Sequence, residues 1–235
     1  MPLPISSTDS PPPPTPPPRL RRRVSNSSSR KEFIAIGRDA AGDIAGIFEA
    51  VRVQTCEYPR WLDFGCGPGR VSRHLMQLGE VRELWGVDVD ADAIAWCRAS
   101  LPGHYRVIGP APPMPLATGF FDVVLASSVF THLDEARQLG WIAELHRVLR
   151  PGGLLIASTH APSLSAFRPD LSTKDRDELE RRGFLFAPGG KPFSSNSTFH
   201  SRDYLVTTWG RLFGLERYLQ YGLNRHQDLS AWRKW

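Results

Sequence analysis

The chain has 235 residues, 41% of them apolar, and a formal net charge of +5, which suits one domain of ordinary size plus a tail. Three cysteines (Cys56, Cys66, Cys97) without C-x-x-C spacing argue against a disulfide framework and a thiolate zinc site, so a reducing compartment, the cytoplasm, is expected. Residues 1–31 hold six basic side chains against one acid, Asp9, and the remainder carries 23 of each sign. The folded part is therefore formally neutral, which argues against a nucleic-acid partner for it.

Residues 1–30 are rich in Pro, Ser and Arg and poor in the apolar content that offsets ordering entropy, so they read as a disordered basic arm. Its Pro-rich runs leave three readings open: an inert tail, a weak ligand for other proteins, or a phosphate-binding arm. The Ser/Asn-rich stretch after Arg21–Arg23 is not expected to act as a signal peptide, and no apolar run reaches membrane-spanning length. From residue 31 onwards, one domain is expected. Phe33, Ile36, Ala40, Ile44, Ile47, Phe48 and Val51 recur at helical spacing, predicting a helical region to about Gln54. Candidate strands follow at Arg60–Phe64, Leu84–Asp88, Tyr105–Ile108, Asp122–Ala126 and Leu154–Ser158, with helices near 69–78, 91–100 and 134–149 between them. Such alternation predicts a parallel sheet covered on both faces. Pro151-Gly152-Gly153 is expected to stop the third helix. After a polar segment, a helix near 202–213 and two strands, Glu216–Tyr221 and Asp228–Trp232, are expected, the last pair antiparallel because Gly222–His226 is a short link.

The strongest local signal is Trp61-Leu62-Asp63-Phe64-Gly65-Cys66-Gly67-Pro68-Gly69-Arg70. A strand ends, glycines alternate, and a helix begins. Glycines let a ligand approach the backbone, and a helix N-terminus offers free N–H groups. A structural turn is the alternative. The dehydrogenase pattern G-x-G-x-x-G would require Gly or Ala where Arg70 stands, which disfavours a nicotinamide cofactor. Leu84-Trp85-Gly86-Val87-Asp88 is a second strand ending in an acid, 23 residues after Gly65. An acid there reaches a ribose. N-capping of the next helix is the other role for Asp88, although Asp90 is better placed for it.

From Trp61 to Ser158 the chain closely resembles class I S-adenosylmethionine-dependent methyltransferases. The matching pieces are LDFGCGPGR, GVDVDADAI, Met114-Pro115-Leu116, Phe121-Asp122-Val123-Val124, Ser127–Leu133 and Leu145–Gly153, in the family's order and spacing. The resemblance implies an α/β fold: a three-layer Rossmann-like sandwich whose seven-stranded, mostly parallel sheet has an antiparallel last strand. It implies methyl transfer from S-adenosyl-L-methionine. The cofactor-binding residues implied are Asp63, Gly65, Cys66, Gly67, Gly69, Asp88, Val89, Ala111 and Ser127. Arg38, in a more weakly matching segment, is expected either to meet the methionine carboxylate or to be a solvated helix-face arginine. Where the family carries an acid that recognises adenine, this chain has Pro110, which leaves the Ala111 N–H for the ring.

His132, just past the fourth strand, is the first candidate for a general base, and His160, just past the fifth, is the second. Both lie at the carboxyl edge of the sheet, where open α/β sites form, and packing or capping is the plain alternative for each. Ser127–Phe130 stands where amino-methylating enzymes acting on DNA, RNA or protein glutamine carry [N/D]-P-P-[Y/F]. The expected acceptor is therefore a hydroxyl or amine of a small molecule, lipid or glycan. Residues 160–205 are expected to shape its pocket, with Phe167, Phe184, Phe186, Phe193, Phe199 and Tyr204 as an apolar lid or as core filler. A relative that binds the cofactor without methyl transfer, or a scaffold, is the alternative function. No metal is expected.

Overall fold

The computed structural model describes residues 12–25, 27–78, 81–189 and 196–235. The chain opens with helices α1 (Pro18–Ser25) and α2 (Arg30–Ala50). Then β1 (Arg60–Phe64), α3 (Ser72–Leu75), β2 (Glu83–Asp88), α4 (Ala91–Ser100) and β3 (His104–Val107) alternate, followed by β4 (Phe121–Ala126), α5 (Glu135–Val148) and β5 (Leu149–Thr159). An inserted unit comprises α6 (Thr173–Arg182), β6 (Phe184–Ala187) and β7 (Ser197–His200), and α7 (Arg202–Thr208), β8 (Phe213–Leu223) and β9 (Gln227–Lys234) finish the domain.

The main sheet has seven strands in the order β3-β2-β1-β4-β5-β9-β8. Strands β1 to β5 pair in parallel, and β9 runs antiparallel to both β5 and β8. This is the expected fold. The order reverses at β1/β4, and crevices for ligands open at the carboxyl ends of strands beside such a switch point. Side-chain alternation divides the core. Leu62, Phe64, Val124 and Leu155 face α5, α7 and the turn after α7, where Trp141, Leu145, Leu205 and Trp209 close one layer. Trp61, Val123, Leu154 and Ile156 face the other way, onto Ala41, Ile44, Ile47 and Phe48 of α2 and Leu75 of α3. Among the described residues no helix is long and apolar enough to cross a membrane.

Two local expectations differ from the structure. Pro151-Gly152-Gly153 does not separate α5 from β5: the helix has already ended at Val148, and the three residues form a register shift inside β5, between the Phe121–Leu149 and Val123–Leu154 pairs. The arm expected to be disordered over 1–30 contains α1, which starts on a proline, the residue whose missing N–H costs nothing at a first helical position. Leu20 is fully buried there and Val24, one turn on, is half-buried, so two apolar groups at i and i+4 dock the helix. Residues 1–11 of that arm lie outside the described residues.

Candidate active site

The turn after β1 is fixed from both sides. The Gly65 and Cys66 N–H groups donate to the Val87 carbonyl at 2.8 and 3.1 Å, tying the turn to β2. Gly65 has φ +74°, and a Cβ there would stand 2.4 Å from Val129 Cγ2. Only glycine fits, on both conformational and steric grounds. At the end of β2, Asp88 accepts from the Gly67 N–H at 2.7 Å and the Asp90 N–H at 2.8 Å. It braces the glycine turn against the start of α4. The cap of α4 is Asp90, which accepts from the Asp92 and Ala93 N–H groups at 3.1 and 3.2 Å. Burial raises the Asp88 carboxyl above its ordinary range, and these backbone donors oppose the shift. Val89 and Ala111 are exposed close by, in the β2–α4 turn and the loop after β3. Asp63, fully buried in β1, accepts from the Ser72 hydroxyl at 2.5 Å. Burial pushes its carboxyl up to about 6.

A cavity of about 600 Å³ opens over this turn. Asp63, Gly65 and Cys66 line it from β1, and Ser127, Ser128 and His132 from the segment after β4. Helix α1 roofs it with Arg19, Arg22, Arg23 and Val24, a contribution that the composition of the arm did not reveal. Val24 lies against Gly67, 3.0 Å from where a Cβ would stand, and its carbonyl accepts from Arg70 Nη1 at 2.5 Å. Arg23 Nη1 donates to both oxygens of Asp90 at 2.7 and 2.5 Å, and its Nη2 to Asp92 at 3.1 Å. Arg38 is not brought to the cavity: it is an exposed arginine of α2, 3.4 Å from its neighbour Asp39. The surface reading of that residue is the one that fits its position.

The other wall depends on contacts far apart in sequence. Ser128 sits at φ +59°; its N–H donates to Ser158 Oγ at 2.8 Å, and both hydroxyls donate to Gln227 Oε1. Ser127 Oγ is buried with no hydrogen-bond partner among the described residues. The small β6–β7 sheet clamps the segment from outside. Thr198 gives its N–H to the Thr131 carbonyl and its hydroxyl to the Leu133 carbonyl, each at 2.8 Å. Gln138 donates to the Phe130 and Leu133 carbonyls and accepts from His200 Nε2 at 2.9 Å. His200 is fully buried, which holds its ring neutral with a pKa of about 3.

His132 Nδ1 lies 2.7 Å from the Asn196 carbonyl. A carbonyl can only accept, so Nδ1 carries the proton, and in the neutral ring Nε2 is left as the base. His160 is placed differently. It follows β5 behind the cavity wall, its Nδ1 is buried with no partner among the described residues, and its ring is 5.9 Å from those of Phe199 and His226. Burial, aided by His132 and His226, depresses its pKa to about 4. The two candidate bases thus separate: His132 lines the cavity and His160 supports the wall. Of the aromatics in the inserted region, Phe184, Phe199 and Tyr204 are buried core filler and Phe167 is exposed. Phe193 lies outside the described residues. Among those described, no cluster of His, Cys, Asp or Glu is arranged to hold a metal ion.

Residues 62–157, which contain the glycine turn, Asp88 and the segment after β4, match the family model of the methyltransferase domain. Over these residues the chain is similar to S-adenosylmethionine-dependent methyltransferase domains. Over 110 residues it is 33% identical to the malonyl-[acyl-carrier protein] O-methyltransferase of Enterobacter lignolyticus, covering 47% of this chain and 42% of that one. Over 130 residues it is 32% identical to the phthiotriol/phenolphthiotriol dimycocerosates methyltransferase 1 of Mycobacterium ulcerans, covering 52% and 46%. The chain thus spans about half the length of the curated relatives it matches. Its fold is similar to the crystal structure of a Burkholderia thailandensis 1,6-didemethyltoxoflavin-N1-methyltransferase, with a TM-score of 0.58 and 16% identity over 97% of this chain and 93% of that one.

S-adenosylmethionine is the cofactor of such domains, and the site fits it on its own terms. The glycine turn admits a ligand to the backbone, an acid stands at the end of β2, an orphaned hydroxyl (Ser127 Oγ) lines the space, and the cavity is roomy enough for a nucleoside-sized group.

Proposed function

We propose that this methyltransferase domain methylates a hydroxyl or amine of a small molecule or lipid, with His132 as general base when the acceptor is a hydroxyl. The reading rests on one observation: the hydrogen bond to the Asn196 carbonyl fixes the tautomer of a histidine that lines the same cavity as the glycine turn. When bound, the cofactor supplies an activated methyl group on a sulfonium. Asp63, Gly65 and Gly67 would hold its amino-acid end and Asp88 its ribose, beneath α1. The chain's main contribution is alignment, worth on the order of 7–11 kcal/mol in favourable cases. His132 Nε2 takes the acceptor proton, and Asn196 and the β6–β7 sheet keep the ring in place. The relatives' names, one an O-methyltransferase and one a methyltransferase of a lipid-like alcohol, support an oxygen acceptor.

The test is a labelled-methyl assay of the pure protein with fractionated cell extract, which also identifies the acceptor. Replacing His132 with Gln should lower turnover by about a hundredfold, within the usual span for a positioned base. Adenosylhomocysteine affinity should stay within about threefold, because the base does not hold the cofactor. Near-normal turnover in the variant would assign His132 to packing.

A further inference from the structure

We infer that Gln227, at the start of β9, is a positioning residue for the second wall: its side-chain carbonyl holds Ser128 in a left-handed conformation, and through that turn it sets His132 at the cavity. The inference rests on the methyl-transfer reading of the cavity and adds to it a residue outside the cavity. Ser127, Ser128 and His132 line that space; Gln227 does not. A serine at φ +59° is strained by its Cβ and keeps that conformation only where its surroundings impose it. The contacts that impose it converge on one oxygen. The Ser128 N–H donates to Ser158 Oγ at 2.8 Å, and the Ser158 hydroxyl donates in turn to Gln227 Oε1 at 2.7 Å. The Ser128 hydroxyl donates to the same oxygen at 3.1 Å, which fills both of its lone pairs. Ser158 is fully buried, and among the described residues its proton has no other acceptor, so the amide oxygen rather than the nitrogen faces it.

Gln227 cannot follow a drifting Ser128, because strand pairing fixes it on both sides. Gln227 itself pairs with Leu223 in the β8–β9 hairpin, and the next residue, Asp228, pairs with Thr159 of β5. Beyond Ser128 the turn is stiff as far as the base. The Ser128 carbonyl accepts from the Thr131 hydroxyl at 2.9 Å, and the Val129 carbonyl accepts from the His132 N–H at 3.1 Å. Thr198 grips the outer end of this turn at the Thr131 and Leu133 carbonyls, so Gln227 is the grip on its inner end. Without it, a residue with a Cβ relaxes away from φ +59° and tilts the turn that carries His132. Alignment is the chain's main contribution, and a displacement of about 1 Å can cost a reaction roughly a hundredfold.

The experiment follows label from S-adenosylmethionine into the cell-extract fraction that the wild-type full chain methylates, with adenosylhomocysteine affinity measured by calorimetry. Gln227→Met keeps the side chain's length and removes the accepting oxygen. Turnover should fall about tenfold or more, with adenosylhomocysteine affinity within about threefold. Gln227→Glu keeps an accepting oxygen and should retain most of the turnover. Two changes at Ser128 separate backbone from bond. Ser128→Gly removes the strain, because glycine adopts φ +59° freely, whereas Ser128→Ala removes the hydroxyl and keeps the strain. Gln227→Met should cost less than about threefold in turnover in the Ser128→Gly background, and about tenfold in the Ser128→Ala background. Equal costs in the two backgrounds, or wild-type turnover in Gln227→Met, would overturn the inference and leave methyl transfer standing. Urea midpoints of the same variants make the comparison without turnover: the loss from Gln227→Met should be smaller beside Ser128→Gly than beside Ser128→Ala. That measurement decides for or against the grip on Ser128 even if the wild type transfers no methyl group, a result that would sink the methyl-transfer reading alone.

Discussion

The two walls of the cavity are held together differently. On the β1–β2 side, the Gly67 amide and the Asp88 carboxylate that bond to one another are 21 residues apart, and the backbone bonds that shape the glycine turn lie within one strand–turn–helix unit or its neighbour. On the β4–β5 side, His132 is oriented by a carbonyl 64 residues away, Gln138 by a histidine 62 away, and Ser128 by a glutamine 99 away. The first wall is a local motif that backbone hydrogen bonds stabilise once β1 and β2 are paired. The second exists only when the inserted unit and the final strand are both docked. One cofactor thus suits many such domains, whereas the acceptor side is assembled from parts that can differ without disturbing it.

The sharpest way to break this division is at the point where the walls touch. Gly65→Ala forces φ near +74° on a residue with a Cβ and drives that Cβ into Val129. Urea unfolding should show a loss of about 2–4 kcal/mol, and adding Val129→Ala should restore part of it. No recovery would mean that conformation alone, rather than contact between the walls, is responsible. Asp88→Ala acts on the first wall only. Adenosylhomocysteine binding should weaken by about 1.5–3 kcal/mol by calorimetry, the range for hydrogen bonds to a charged acceptor, with labelled-methyl turnover at saturating cofactor little changed. An unaltered affinity would leave Asp88 as a brace for the turn and nothing more.

Titration separates the walls more gently. His200 and His160, on the second wall, and His74, in α3, have folded pKa values of about 3, 4 and 4, below the unfolded value of about 6.5. The unfolded chain binds more protons there, so their contribution to stability is present above pH 6.5 and is lost as pH falls towards 4. Asp63, on the first wall, has the opposite sign: its folded pKa of about 6 exceeds the unfolded value near 3.8, so it favours the folded state as pH falls through 6. With the partly exposed His74 and His160 discounted for solvent, the net slope between pH 6 and 5 should be about 1–2 kcal/mol per unit, stability falling with pH. Asp63→Asn should steepen it in cofactor-free protein. An unchanged slope would mean that Asp63 is already ionised in the fold.

The same contrast governs how much could be read in advance. The strand at Arg60–Phe64 and the helix at 91–100 were legible to the residue, because a continuous apolar run and the Asp90 cap are local facts. The glycine turn and Asp88 were equally plain. Helix α6 was not, since TKDRDELERR buries only Leu179. Its ends nevertheless carried a signal: a Ser172–Asp175 capping box and Gly183 at φ +69°. Helix α1 was hidden by the composition of its surroundings, which says nothing of two apolar side chains one turn apart. That Asn196 orients His132 was invisible in principle, because a backbone carbonyl offers no side-chain signal and its position follows from β7.

The place of β9 has a consequence for how the molecule can be divided. The final strand lies between β5 and β8, with Trp232 in the main core, so a fragment lacking residues 227–235 would leave β5 as an open edge and β8 without its only partner in the sheet. Such a fragment is expected to be unfolded or prone to self-association, while a synthetic peptide of that sequence would meet a vacant groove with hydrogen-bonding partners on both sides. The domain is therefore suited to split-protein complementation, with methyl transfer as a signal that the two pieces have met.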